Sequence, residues 1–203
     1  LRFKTLLGDT EWNQLPEAVR RRFSRHMEDG KSVVYKGVIT KMEMNWAGRI
    51  LALICKLIGA PLPTEMQGNG TPAVVTVTED KLGNGQFWTR TYGRKSGFPQ
   101  VIHSSKRFQG ETGLEEYIGY GITMNLNVER EDKAIVFKSA GYYLEFFGMK
   151  IPFPRILEPG KVKVSHADQG EGYFAFILEV DHPIFGEMVN QRGIFCEYEA
   201  VIV

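Results

Sequence analysis

The chain has 203 residues, 43% of them hydrophobic and 24% charged. That composition excludes wholesale disorder and suits one domain, long enough to bury roughly 70% of its unfolded surface without disulfide or metal staples. Its 25 basic residues nearly cancel 24 acidic ones, which excludes the strong basic field of a nucleic-acid binder.

The first segment reads as helical. Asp9 or Thr10 can cap a turn there, but Pro16 cannot sit in a helix interior, so the helix is expected to start at Pro16 and run through Met27, ending before Gly30. Arg20, Arg21, Arg22, Arg25 and His26 form its basic face, read as solvated. Ser32 to Lys41 predicts a strand. Trp46 to Ile58 predicts a helix, with Arg49 and Lys56 on nearly the same side and Ile50, Leu51, Leu53, Ile54, Leu57 and Ile58 around the rest. Pro61 and Pro63 end it. Such a helix packs across a sheet, covers an apolar cavity as a lid, or touches a membrane surface. The longest apolar stretch, Ile50 to Leu62 with Lys56 inside it, falls short of the ~20 residues that span a bilayer.

From residue 72 the period becomes two. Val75 and Val77 alternate with Thr76 and Thr78, and Asn84-Gly85 marks a hairpin turn. Strands are expected at Gln86–Gly93, Phe98–Phe108, Leu114–Ile118, Ile122–Glu129, Ala134–Phe147, Lys161–Asp168, Gly172–His182 and Arg192–Ile202. Pro152, Pro154 and Pro159 predict a loop over Gly148–Gly160, lying across a barrel end with Phe153 and Ile156 partly buried. About ten strands joined by short turns must pair antiparallel and curl up. The expected fold is therefore mainly β, an α+β chain whose antiparallel meander closes into a calycin-like barrel with two N-terminal helices; a START-like helix-grip is the alternative. The whole of residues 1–203 is read as a single domain: a helical segment (1–30), a first strand with its covering helix (31–71) and the meander (72–203).

Along Gln86–Gly93, Trp88, Arg90 and Tyr92 share one face, and Phe87, Thr89 and Thr91 the other. An arginine inside a barrel needs an acidic partner or a ligand anion; Glu115, Glu116, Glu145 and Glu179 are the candidates. Arg90 is either a structural group stacked on Trp88 or the anchor for a carboxylate or phosphate. Phe137, Tyr142, Tyr143, Phe146 and Phe147 read mostly as core, with Tyr143 a candidate pocket residue. His166 and Asp168 share a face, but no third ligand is implied and no metal is expected. Ser104 or Ser105 can be assembled with His and Asp on paper only, since no nucleophile elbow is present and no catalytic residue is assigned. Glycine-rich dinucleotide or phosphate motifs are missing too, so no cofactor is expected. Cys55 and Cys196, in apolar surroundings, read as buried free thiols, which points to a reducing, cytoplasmic setting.

The Leu15-Pro16 start with its basic helix, the strand Phe87-Trp88-Thr89-Arg90-Thr91-Tyr92-Gly93, the Gly148 to Pro159 loop, and Tyr173 to Gly193 with His182-Pro183-Ile184-Phe185-Gly186 inside it form one pattern. Along nearly its whole length the chain resembles the bacterial domain-of-unknown-function family 4166. The resemblance implies a free-standing domain or one attached to a saccharopine-reductase-like protein, and brings no activity or catalytic residues with it. The expected function is binding of a hydrophobic or amphiphilic small molecule. Arg90 would orient its polar end, Trp88, Tyr92 and Tyr143 would contact it, and Leu53 and Ile54 would cover it. A non-catalytic interaction module, serving a homodimer or a reductase-like partner, and an enzyme without a recognisable motif are the alternatives. A weak membrane-surface contact is compatible with the first.

Overall fold

The computed structural model describes residues 1–25, 27, 30–58, 62–63 and 70–198. Three short helices come first, α1 (Arg2–Leu7), α2 (Asp9–Gln14) and α3 (Glu17–Phe23). Strand β1 (Ser32–Met44) leads into α4 (Trp46–Leu57). Then follow β2 (Thr71–Asp80), β3 (Gly85–Tyr92), β4 (Gln100–Arg107), β5 (Glu115–Gly119), β6 (Ile122–Glu131), β7 (Ala134–Phe146) and β8 (Met149–Pro152). A 3-10 turn at Arg155–Leu157 precedes β9 (Lys161–Gly170), β10 (Tyr173–His182) and β11 (Gly186–Glu197).

The strands pair antiparallel in the order β6-β5-β4-β3-β2-β1-β11-β10-β9-β7-β8, and β6 pairs with β7 as well. That last pairing closes a ten-stranded ring, with β8 an eleventh strand outside it. The calycin-like meander expected from the period-two pattern is the fold; the helix-grip alternative is not. β7 changes partner along its length: Ala134–Lys138 pair with β9, and Tyr143–Phe146 with β8. Where β7 leaves β9, the segment between β8 and β9 fills the gap. The Tyr142 hydroxyl donates to the Gly160 carbonyl at 2.8 Å, and the Phe153 amide to the Tyr142 carbonyl at 2.8 Å.

Several boundaries and placements differ from the sequence expectation. Residues Arg2–Leu7 are helical, and α3 stops at Phe23 rather than Met27, where the Ser24 amide and hydroxyl both donate to the Arg20 carbonyl, at 2.9 and 2.6 Å. His26 lies outside the described residues. Met149–Pro152 is a strand, not loop: prolines forbid a central position, but β8 has a neighbour on one side only. Ile156 is 86% exposed, since the 3-10 turn directs it outward, while Phe153 is half-buried. Phe137 and Tyr142 are core, but Phe146 and Phe147 at the β7–β8 turn are exposed. Both cysteines are free and half-buried rather than fully buried.

α1–α3 close one end of the ring. Phe3 and Phe23 from the helices meet Phe137 of β7 at ring distances of 5.9 and 5.7 Å. At the centre of this packing sits His166 of β9, 3% exposed, enclosed by the rings of Phe23, Trp88, Phe137, Phe174 and Phe176. Burial, then the charges of Arg22, Lys106 and Arg90, hold its pKa well below the usual histidine value. His166 is therefore neutral in the fold, whereas in the unfolded chain it gains a proton below pH ~6.5. The unfolded state then binds more protons, so stability is full above that pH and is lost as pH falls. Urea unfolding should show stability falling as pH drops below ~6.5, with a slope of up to about 1.4 kcal/mol per pH unit. His166→Leu should flatten this fall; an unchanged slope would remove His166 as its cause.

Candidate functional site

The other end of the ring is hollow. A cavity of about 330 Å³ lies between the sheet, α4 and the Phe153–Pro159 segment. Its walls are mostly aliphatic and aromatic, among them Ile102, Met124, Val164, Phe176 and Leu178. Leu51, Ile54 and Cys55 of α4 and Ile58 just after it line it from above, and Leu157 from the side.

α4 is held over the cavity by its first turn. The Asn45 side chain accepts from the Gly48 amide at 2.9 Å, capping the helix, and donates to the carbonyls of Phe185 and Glu187 at 2.9 and 3.0 Å. Trp46 stacks edge-on against Phe185 at 5.2 Å. Gly48 lets the helix approach β11 directly, since a Cβ there would fall 2.1 Å from the Met188 carbonyl oxygen. The helix therefore buries its small residues Ala47, Gly48 and Ala52 and turns larger apolar ones outward.

The polar floor is built from neighbouring strands. Arg90 and Tyr92 of β3, Ser104 of β4, Glu116 of β5 and Gln191 of β11 all reach the cavity surface. Arg90 donates to the Ser104 hydroxyl at 3.3 Å, and Ser104 donates to Glu116 at 2.6 Å. Behind them Lys106, 1% exposed, donates to the other Glu116 oxygen at 2.7 Å. The second Arg90 nitrogen lies 3.6 Å from Glu116. Burial disfavours the Glu116 carboxylate, but Lys106, Arg90 and Ser104 together pull its pKa down to about 2. Lys106 is lowered, by burial first and by Arg90, against the attraction of Glu116. Lys106 and Arg90 thus share one carboxylate. Of the other acidic candidates, Glu115 takes Lys150 and Gln109, and Glu179 faces Lys163.

Trp88, Arg90 and Tyr92 do lie on the inner face of β3, but they divide. Arg90 and Tyr92 reach the cavity; Trp88 lies deeper, in the aromatic packing around His166, and lines a small hollow with them instead. Arg90 does not stack on Trp88. Its guanidinium lies over the Phe176 ring, 6.0 Å away, and Lys106 takes the place over Trp88 at 5.8 Å. Ile54 lines the cavity, whereas Leu53 points outward and is 62% exposed. Tyr142, not Tyr143, reaches the cavity; Tyr143 packs its ring beside Gly141, whose φ of 132° breaks the alternation of β7. Sequence reasoning names Glu116 among four carboxylates but misses Lys106. The overlooked signal is the period: Lys106 is in step with Ile102 and Ser104. Ser104 and Ser105 give their protons to Glu116 and Asp80 and to no histidine. Among the described residues no three His, Cys, Asp or Glu side chains are placed to share a metal ion.

The arrangement makes unequal demands on its members. Glu116→Gln leaves Lys106 and Arg90 buried without their anion and should cost ~3–5 kcal/mol. Arg90→Met keeps the Lys106–Glu116 pair and should cost about 1 kcal/mol, the size of an ordinary substitution. Urea midpoints of the two variants check this; equal losses would mean that Arg90 is needed for stability.

Comparison with curated proteins found no match. Among solved structures, a mutant of the fluorescent protein UnaG matches with 13% identity and a TM-score of 0.35, covering 82% of this chain and 95% of that one. No helix among the described residues is long and apolar enough to cross a membrane. Residues 15–195 match the family model described as Domain of unknown function (DUF4166). With that span covering most of the chain, the protein belongs to the DUF4166 family.

Proposed function

We propose that the domain binds an amphiphilic small molecule, its apolar body in the cavity and an anionic head, such as a carboxylate, at Arg90. The observation that carries this reading is the charge balance of the floor. Lys106 already satisfies Glu116 at 2.7 Å, and Arg90, with a longer 3.6 Å approach to the same carboxylate, faces a cavity whose walls are mostly apolar. A buried cation in such surroundings gains most from a second anion. The cavity volume of about 330 Å³ falls within the range of small-molecule sites, ~300–1,000 Å³. The Tyr92 hydroxyl and the Gln191 side-chain amide N–H stand beside Arg90 as further donors to the head. Trp88 supports the floor from behind, and Ile54 closes the opening. The free thiols Cys55 and Cys196 fit a cytoplasmic setting. The rival reading, a module for a homodimer or a reductase-like partner, draws on the apolar outer face of α4 alone.

Displacement of a fluorescent carboxylate-headed alkyl probe by dodecanoic acid and by dodecanol tests the assignment. A charge-assisted hydrogen bond of ~1.5–3 kcal/mol predicts about a ten- to hundredfold preference for the acid. Arg90→Met should abolish the preference while leaving alcohol binding in place. Binding of neither competitor, or equal preference in the parent protein, would overturn the proposal. Cys55 lines the cavity and Cys196 does not. Bound dodecanoic acid should therefore slow maleimide labelling of Cys55 and leave Cys196 unchanged.

A further inference from the structure

We infer that the outer face of α4 is a docking surface for an anionic lipid bilayer, placed at the mouth through which the cavity is filled. Trp46, Ile50, Leu53, Ile54 and Leu57 form one helical stripe, and all are exposed, Leu57 at 82%. An ordinary surface helix turns such a stripe inward; this one buries alanine and glycine and faces its large side chains to solvent. The stripe is continuous with the cavity. Ile54 and Leu157 are each exposed on the outside and part of the cavity wall, and Ile156 extends the apolar rim beside Leu157. Tyr120, at the exposed turn after β5, stands close by, since the adjoining Gly119 approaches the Ile58 carbonyl.

The charge pattern selects the occupant. α4 carries Arg49 and Lys56 on one flank of the stripe and no carboxylate. A helix with an apolar ridge, a terminal tryptophan and flanking cations is the pattern of an interfacial helix, and anionic headgroups add ~1 kcal/mol per Lys or Arg at the surface. A protein partner fits less well. Stable protein interfaces engage ~20–30 residues a side, far more than the ridge of α4 and its rim provide among the described residues. A bilayer accepts a narrow ridge, and it is also where an amphiphile would be collected or delivered. That last role rests on the proposed ligand; the surface contact itself does not, and it is tested on ligand-free protein.

The test is co-sedimentation with phosphatidylcholine vesicles, with and without phosphatidylserine. The protein should sediment with the phosphatidylserine-containing vesicles and far less with phosphatidylcholine alone. Ile50→Glu/Leu57→Glu, at exposed positions, should reduce the bound fraction at least about tenfold. Arg49→Gln/Lys56→Gln should weaken binding about thirtyfold, the equivalent of ~1 kcal/mol per charge. The glutamate variant should keep the parent melting temperature, and both variants should keep, without vesicles, the parent affinity for the alkyl probe. A parent protein left in the supernatant, or a glutamate variant that sediments equally well, overturns the inference. So does a parent dimer in light scattering that the glutamate variant turns into a monomer, which would assign the face to a second copy. Vesicle binding without probe binding would refute the ligand proposal and leave this one standing.

Discussion

A ring of ten strands encloses more space than its inward side chains need fill, because eight already leave room for a full layer of side chains or one small ligand. The rest of the structure answers that surplus differently at the two ends. At one end α1–α3 insert Phe3 and Phe23 against Phe137, and the interior is solid aromatic packing around His166. At the other end no helix among the described residues enters. α4 lies across the top on its small residues, and the space beneath it stays open.

Between these halves lies the layer of charge. Lys106, Glu116 and Arg90 lie where aromatic packing gives way to cavity, so that Lys106 contacts the rings of Trp88 and Phe137 while Arg90 reaches the open side. Burying such a group is costly unless each member is paired. Glu116, the shared anion, therefore holds both the packed half and the candidate site in place. His166, kept neutral by its rings and by the nearby cations, belongs to the same electrostatic unit seen from the packed side.

What could be read in the amino-acid sequence follows from what alternation can and cannot encode. Period two carries the strands, and with Asn84-Gly85 it places Trp88, Arg90 and Tyr92 inside. It says nothing about depth, so Trp88 and Arg90, equivalent in pattern, lie in different halves of the barrel. It also fails wherever one residue slips: Gly141 shifts the phase of β7, and the inward tyrosine becomes Tyr142 rather than Tyr143. α4 is apolar over so much of its surface that periodicity alone cannot choose its inner face. The choice is made by Gly48 and Asn45, which fix the helix against the β10–β11 turn and leave Leu53 outside. An acidic partner for Arg90 can be expected from the cost of burying its charge, but four glutamates qualify until the strands pair. Lys106 is hidden more deeply, because two adjacent cations look like surface until β5 brings Glu116 beside one of them.

The pairing of β1 with β11 bears on how the barrel is made. These two strands pair over Tyr35–Met44 and Val189–Glu197, so during synthesis β1 waits for β11, made long after it, before its second edge is covered. Until then β1 presents an open edge of the kind that recruits other chains. Contacts of such long sequence separation also form slowly. A chain stopped before β11 would leave both β1 and β10 unpaired on one side, so incomplete products of this barrel should aggregate rather than linger as folded fragments.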